Sequence, residues 1–250
     1  TIKDGHVYLD PTGSSKQRMS PINCVRPMAK TAIAYAFRCL VNDGIPVNEG
    51  FLNRIHVDGP DGLVCTAVRP AAVVGGWELV SRMTELVFLA LHPALPDRIP
   101  AAGKGCIVNI GFGGMDPRRG EYYCYMETIA GGNGARPTKD GPDAVQTNVQ
   151  NTENAPIEEV ELHYPIRVKR YELITDSCGP GKYRGGMAIR RDFEFPYAEC
   201  SWTVFSDGRK FPPWGLLGGQ SGSCSRYIFD PENEHRELPS KCTLEIPKGG

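Results

Sequence analysis

The chain has 250 residues, of which 40% are hydrophobic and 23% are charged, as in an ordinary globular protein with room for one large domain or two smaller ones. Its formal net charge of −1 gives no electrostatic reason to expect a nucleic acid or an anionic membrane as a partner. No apolar run reaches the length of a membrane span, since the longest candidate, residues 85–95, is interrupted by His92 and Pro93.

The nine cysteines are spread along the chain without any CxxC pair, a spacing that predicts neither a zinc knuckle nor a compact disulfide framework. Cys39 and Cys106 lie in apolar settings, where cysteine acts as a small hydrophobic residue. We therefore expect a reducing, cytoplasmic location. The chain opens at Thr1 without a methionine and stops at Gly250, so we expect a piece of a longer polypeptide.

The first part of the chain mixes strands with helices. Residues 5–10 predict a strand, and apolar side chains at three- and four-residue steps predict an amphipathic helix over 27–41, with Asn42–Gly44 as its stop signal. The same spacing predicts a second amphipathic helix over 78–91. Shorter extended segments are expected over 55–57 and 63–68.

From residue 106 onward the pattern changes to short strands separated by glycine-rich turns, which predicts a sandwich or a barrel-like half. The fold class is therefore α+β, with a mixed α/β part over 1–104 and a glycine-rich, β-dominated part over 105–250. Strands are expected over 106–112, 121–129, 159–174, 187–195, 201–207, 225–230 and 242–246. The clearest alternation places on one strand face Met187, Ile189, Arg191, Phe193 and Phe195.

One stretch, residues 127–186, concentrates glycine together with polar and charged side chains to a degree that an ordinary core does not need. Because glycine allows positive φ or close approach to a ligand, the stretch predicts a polar pocket lined by backbone amides and side chains. The alternative is that the glycines only make tight turns in a β-rich domain, and their spacing leaves both readings open. They are Gly131, Gly132, Gly134, Gly141, Gly179, Gly181, Gly185 and Gly186.

Several motifs that would identify a reaction are absent. The five histidines form no HxH, HxxxH or HExxH, no GxSxG occurs, and residues 111–114 lack the lysine and serine of a phosphate loop. ATP binding by this chain alone is therefore not expected, and no metal ligands are assigned to it. His163 beside Glu161 predicts either a pair of ligands on one strand face or a histidine packed against tyrosines.

The loop DSCGPGKYRGG, residues 176–186, leaves two further choices open. An ion pair between Asp176 and Arg184 either staples the loop or anchors an anionic or amide substrate. Cys178 is either a reactive thiol activated by nearby basic side chains or an inert loop residue. The acidic Glu158, Glu159 and Glu161 lie at the predicted strand over 159–174, where extended backbone would point Glu158 and Glu161 to opposite faces.

Three blocks carry a resemblance to a known family: ETIAGGNGARPTKDG over 127–141, DSCGPGKYRGG over 176–186 and RKFPPWGLLGGQSG over 209–222. They resemble the hydantoinase B/oxoprolinase family, and residues 21–57 are similar to that family's middle region. The resemblance covers essentially the whole chain. In this chain Cys178 replaces a small glycine of the family's loop, so we expect either extended backbone at this position or a loop that differs from its relatives.

The resemblance implies a B-type subunit that works with a hydantoinase A-type ATPase in a heteromeric complex. The implied reactions are ATP-dependent hydrolysis of hydantoins, 5-oxoproline or lactams, in which phosphorylation of the amide or enolate oxygen activates the substrate. ATP and Mg would then lie on the partner subunit. A divalent metal, Zn or Mn, would be bound by an N-terminal part of the B-type subunit that this chain lacks.

We therefore predict that this chain is the middle and C-terminal portion of such a subunit, and that it needs the rest of that subunit for activity. One alternative is a subunit of an ATP-dependent ketone carboxylase of the acetone or acetophenone type, and another is a non-catalytic structural piece. The residues predicted to face a pocket are Glu127, Asp140 and Asp176 as catalytic groups, and Arg136, Asn151, Asn154 and Arg184 as substrate-binding groups.

Overall fold

The computed structural model describes residues 1–41 and 44–250, which form two compact units, Thr1–Ile99 and Pro100–Gly250. About 17% of the chain is helical and 24% is in strands, which confirms the α+β class. The domain boundary near residue 104, which the sequence analysis gave, stays a prediction. Asn42 and Asp43, in the predicted stop of the first helix, lie outside the described residues.

The first unit combines a small sheet with two long helices. Strands β1 (Ile2–Lys3) and β2 (His6–Leu9) pair antiparallel, and β2 pairs in parallel with β3 (Ile55–Val57). The helices are α1 (Arg26–Leu40), α2 (Glu49–Leu52) and α3 (Gly76–Leu91).

Both predicted amphipathic helices are confirmed. Helix α1 has Pro27 in its first turn, where a missing N–H costs no helical hydrogen bond, and it packs against α3 and β3. Its Ile33 and Ala34 bury against Ile55 of β3. The extended segment expected over 63–68 is wrong, because a turn follows the single bridge that Leu63 makes to Lys16.

The second unit is built on a four-stranded antiparallel sheet in the order β11-β8-β4-β5. Two antiparallel ribbons, β6-β7 and β9-β10, and one short helix accompany it. The elements are β4 (Asn109–Asp116), β5 (Glu121–Thr128), α4 (Ile157–His163), β6 (Arg167–Leu173), β7 (Ile189–Glu194), β8 (Cys200–Phe205), β9 (Ile228–Phe229), β10 (Arg236–Glu237) and β11 (Lys241–Ile246).

The core of this unit lies between one face of the four-stranded sheet and the β6-β7 ribbon. Phe112 of β4 has its ring centroid 5.5 Å from those of Phe193 and Phe195, which belong to the alternating face predicted for the ribbon. Val160 of α4 is buried in the same cluster as Ile110. We call this face of the sheet the inner face and the opposite one the outer face.

The strand expected over 159–174 is wrong in its first half, since residues 157–163 form helix α4. Glu158 and Glu159 lie in its first turn, where acidic side chains interact favourably with the helix dipole, and Val160 is buried in the core. Glu161 accepts a hydrogen bond from the backbone N–H of Val168 at 2.8 Å. Burial of Val160 on one face of this two-turn helix therefore overrode the apparent alternation.

The glycines of 127–186 bring separate backbone segments together. A Cβ on Gly132 would overlap the carbonyl oxygen of Gly186, and one on Gly186 would overlap that of Pro142. The Gly186 N–H donates to the Asn133 carbonyl at 2.8 Å, and the Gly141 N–H donates to the Arg184 carbonyl at 2.8 Å. None of the glycines in this stretch has positive φ, so at Gly132 and Gly186 close approach rather than turn geometry requires glycine.

This packing predicts a difference in stability between two neighbouring positions. Gly186→Ala should lower the free energy of unfolding by about 1–3 kcal/mol, because its Cβ meets backbone that cannot move aside. Gly185→Ala is the matched control: its nearest neighbour is the Gly179 nitrogen at 3.4 Å, so we expect a change within about 0.5 kcal/mol. Urea unfolding measures both, and equal losses would contradict this account.

Candidate functional site

A buried ion pair joins the sheet to the ribbon. Glu127 follows Tyr125 on the inner face of β5, and Arg191 precedes Phe193 on the inner face of β7, so packing of the two faces brings the charges together. The Arg191 Nη1 atom lies 3.1 Å from each oxygen of Glu127. The Arg191 and Glu127 side chains are only 1% and 6% exposed.

Three further side chains complete this group, which we call the Glu127 cluster. Tyr125 Oη donates to Glu127 Oε2 at 2.9 Å, and Asn154 Nδ2 donates to the same oxygen at 3.0 Å. Asn154 Nδ2 also donates to the Thr128 carbonyl at 2.6 Å, and Tyr171 Oη donates to Asn154 Oδ1 at 3.1 Å. The cluster therefore consists of Glu127, Arg191, Tyr125, Asn154 and Tyr171.

Burial and the neighbouring carboxylate give the Glu127 cluster its electrostatic character. Burial, with the charge of Glu127, raises the pKa of Tyr125 well above its ordinary value, so this phenol stays a hydrogen-bond donor. The Arg191 guanidinium lies 4.7 Å from the centre of the Tyr171 ring, a cation–π contact. Glu127 Oε1 has an ion-pair distance to Arg191 but no hydrogen-bond geometry, and Arg191 Nε is likewise buried without a hydrogen-bond partner.

A second group, the Arg184 cluster, consists of Arg184, Asp140 and Asp143. Arg184 donates from Nη1 and Nη2 to the two oxygens of Asp143 at 2.7 and 3.1 Å, a bidentate pair. Its backbone N–H donates to Asp140 Oδ1 at 3.0 Å, and its Nε lies 3.8 Å from Asp140 Oδ2. The hydrogen bonds from Arg184 lower the pKa of Asp143 below its usual range. The pair expected with Asp176 is thus replaced by one with Asp143.

The remaining candidates are exposed. Arg136 lies in a turn closed by its N–H donating to the Lys139 carbonyl at 2.9 Å, and Asn151 lies in the loop that follows. Asp176 has φ of 57°, a left-handed conformation that is strained for a residue with a Cβ, whereas Cys178 does not adopt it. Cys178 therefore needs no glycine-like backbone.

Contacts among the described residues join Glu127 to Asn154 and Asp140 to Arg184, and in this part of the chain no side-chain hydrogen bond or ion pair links Arg136, Asn151 or Asp176 to either pair. The seven predicted positions are thus not one contact network. Whether they share one function stays a prediction.

Sequence reasoning missed Arg191, although a charge on the apolar face of 187–195 was a visible signal of a buried partner. Sequence reasoning also gave no sign that two of the histidines contact each other. The parallel pairing of β2 with β3 brings His6 Nδ1 within 2.8 Å of His56 Nε2. His163 does not lie on a strand, as both alternatives for it assumed, because it ends helix α4 and lies 3.1 Å from Glu159.

Metal binding and nucleotide binding find no support among the described residues. Residues 1–41 and 44–250 contain no group of three or more histidine, cysteine, aspartate or glutamate side chains placed to hold a metal ion. Residues 111–114 pair with both β5 and β8 as part of strand β4, so they do not form a phosphate-binding loop. Within the part of the chain that the structure describes, no helix is both long and apolar enough to cross a membrane.

The Glu127 cluster predicts a large loss of stability when one charge is removed. Arg191→Met should cost about 3–5 kcal/mol of unfolding free energy, because it leaves the Glu127 carboxylate buried without its counter-charge. The control is Arg167→Met, which removes a surface pair with Glu194 in the same ribbon and should cost less than about 1 kcal/mol. Urea unfolding compares them, and a small loss for Arg191→Met would show that the buried pair does not hold the two layers.

Comparison with known proteins identifies the family to which this chain is related. The family model described as hydantoinase B/oxoprolinase matches residues 1–250. A putative D-/L-hydantoinase B-type subunit from Pseudomonas sp. (strain NS671) is 37% identical over 254 residues, covering 96% of this chain and 42% of that protein. 5-Oxoprolinase 1 from Arabidopsis thaliana is 33% identical, covering 98% of this chain and 18% of that protein.

Two solved structures are similar in fold. An ATP-dependent caprolactamase from Pseudomonas jessenii has a TM-score of 0.77 at 26% identity, covering 95% of this chain and 43% of that chain. A nucleotide-free acetone carboxylase, with a TM-score of 0.69 at 20% identity over 90% of this chain and 31% of that chain, shows the fold alone. The chain thus spans less than half the length of these relatives. Because the family model matches it from end to end, the chain belongs to the hydantoinase B/oxoprolinase family.

Proposed function

We propose that this chain is the middle and C-terminal portion of the B-type subunit of an ATP-dependent enzyme that opens a cyclic amide, such as a hydantoin, 5-oxoproline or a lactam. The observation that carries the proposal is the family match over residues 1–250. The likeness in fold to an ATP-dependent caprolactamase over 95% of this chain supports it.

The proposed reaction needs a second subunit. An unstrained amide is a poor electrophile, and phosphorylation of its oxygen supplies a good leaving group. Residues 111–114 lie in a strand, so we place ATP and Mg on a hydantoinase A-type ATPase partner. The hydantoinase relative from Pseudomonas sp. is itself one subunit of its enzyme, which supports a partner of this kind. The complex would work in the cytoplasm.

A divalent metal, Zn or Mn, would be held by polypeptide outside this chain. The side chains of the described residues do not fit such an ion, because no three metal-ligating groups converge. No step of the proposed reaction is therefore assigned to a metal ligand on this chain.

The two arginines differ in how available they are. The guanidinium of Arg184 is committed to Asp143 and Asp140, whereas among the described residues no carboxylate lies within ion-pair distance of Arg136. Arg136 is therefore the better candidate to bind a phosphorylated intermediate through two parallel hydrogen bonds. In this scheme Arg184 shapes the loops beside it, and Asn151 contributes an exposed amide for substrate binding.

The acidic candidates likewise divide into one that is exposed and two that are hydrogen-bonded to other residues. Asp176 is exposed and held in a strained conformation, a combination found at functional sites, so we assign it proton transfer to or from the opening ring. Glu127 and Asp140 are tied to other side chains, and they support catalysis by fixing Asn154 and Arg184.

A second candidate function is carboxylation of a ketone, in which bicarbonate replaces water as the acceptor. The fold shared with an acetone carboxylase favours keeping it. A third is a non-catalytic contribution of surface and shape to the complex.

The assay that separates these functions uses the complete B-type subunit assembled with its ATPase partner. We expect ATP hydrolysis to depend on hydantoin, 5-oxoproline or caprolactam, with release of the ring-opened product. Dependence on acetone plus bicarbonate would instead establish the carboxylase. Absence of coupling to any cyclic amide would contradict the proposal.

The role of Arg136 predicts a specific loss of turnover. Arg136→Ala in the assembled enzyme should lower kcat by about 10²–10³-fold, because a positioned charge on the intermediate is removed, while the unfolding transition stays unchanged. Lys139→Ala is the matched control, since Lys139 is exposed in the same turn and should leave turnover within about threefold. Unchanged turnover in Arg136→Ala would remove this residue from the site.

A further inference from the structure

The outer face of the four-stranded sheet carries an apolar strip at its β5 edge. Tyr122 and Met126 of β5 are 84% and 70% exposed, and Cys124 between them is exposed as well. Met115 of β4, which pairs with Tyr122 of β5, is also exposed. Large apolar side chains gathered in this way mark a surface that another polypeptide covers.

A glycine beside this strip has no explanation within the described chain. Gly111 lies in the interior of β4, where glycine weakens a strand. Its φ is not left-handed, and a Cβ there would meet only the Tyr125 carbonyl oxygen at 3.6 Å, an ordinary contact. At Gly113, by contrast, a Cβ would come within 2.9 Å of the Tyr123 carbonyl oxygen. A strand glycine that its own neighbours do not require is typical of a place where another backbone approaches closely.

The strand beside this glycine is an edge of the sheet, and the loop before α4 contacts it at Thr128, whose carbonyl accepts a hydrogen bond from Asn154 Nδ2. Strand β5 is the last in the order β11-β8-β4-β5, and all 8 of its residues pair with β4 without a register shift. Its sequence, EYYCYMET, contains no proline or lysine, and no bulge twists it away from further pairing. Exposed edges of this length and character are normally covered in native proteins.

We propose that a segment of the same subunit, from the part of the polypeptide outside residues 1–250, packs on this outer face with its backbone over Gly111 and its apolar side chains against Tyr122, Cys124 and Met126. The inference rests on that part of the proposed function which makes this chain a portion of a longer subunit. The match takes up 42% of the hydantoinase relative from Pseudomonas sp., so that relative has more than enough further polypeptide to supply the segment.

The thiol of Cys124 reports whether the face is covered. In the complete native subunit, maleimide should modify Cys124 at least about tenfold more slowly than in urea, because the seated segment excludes the reagent. Cys106, which is fully buried, serves as the internal control for a folded protein. A smaller difference at Cys124 would overturn the proposal, and this readout does not depend on any enzymatic activity.

Gly111→Leu provides the matched variant. Within the described residues a Cβ at this position makes only an ordinary contact, so the chain should stay folded and Cys106 protected, while displacement of the segment raises the labelling rate of Cys124 by at least about tenfold. Leu162→Phe, which adds bulk at an exposed position of α4, should leave Cys124 unchanged. Continued protection of Cys124 in Gly111→Leu would contradict close approach at this glycine.

The source of the segment is tested by replacing Tyr122 with a benzophenone amino acid and irradiating the complete enzyme. A cross-link to the same polypeptide outside residues 1–250 supports the proposal. A cross-link to the ATPase partner or to a second copy overturns it. The cross-link does not depend on enzymatic activity. An enzyme without substrate-dependent ATP hydrolysis would contradict the proposed function but not the proposed packing of the segment, so the two proposals are tested independently.

Discussion

The buried pair of Glu127 and Arg191 is the interaction on which the second unit depends. Removing two charges from water is costly unless they are paired and hydrogen-bonded, so the pair fixes how the four-stranded sheet meets the β6-β7 ribbon. A shift of either strand by one residue would turn one of these side chains to the opposite face. The Glu127 carboxylate also accepts a hydrogen bond from Asn154. Because Asn154 lies in the loop before α4 and also donates to the Thr128 carbonyl, these bonds hold that loop beside β5.

The glycine-rich motifs serve the fold through a different physical effect. Backbone segments around Gly132, Gly141 and Gly186 lie closer together than any side chain would allow, and their N–H and carbonyl groups are paired directly. The bidentate pair of Arg184 with Asp143 then closes this group of loops. The high density of glycine and charged residues in 127–186 therefore indicates closely packed, hydrogen-bonded loops as well as a candidate site of chemistry. The exposed Arg136, Asn151 and Asp176 are the three candidates that these loops leave available.

The family membership and the geometry constrain the function in complementary ways. The family match establishes kinship with hydantoinase B-type proteins, and the fold is shared with a caprolactamase and an acetone carboxylase. Neither a phosphate loop nor a metal-ligating group of three is found within the described residues. In the proposed scheme an ATPase partner activates the substrate, whereas the apolar outer face beside Gly111 is covered by a further segment of the same subunit.

Features that depend on local periodicity could be predicted from the order of the amino acids. Both long helices, the alternating faces of β7, and the α+β class follow from side-chain spacing alone, because burying one face of an element imposes its period on the sequence. The family was recognised by another route, the resemblance of three short sequence blocks to known family members, and the family match over residues 1–250 confirms it.

The contacts between residues distant in sequence could not be predicted and became visible in the folded chain. The partner of Glu127 lies 64 residues away, and the partner of Arg184 proved to be Asp143 rather than the nearer Asp176. Helix α4 replaced half of a predicted strand because Val160 is buried in the core at that point. Such contacts join residues distant in sequence, and the free energy that selects them comes from burial and pairing after the elements pack, which no local pattern records.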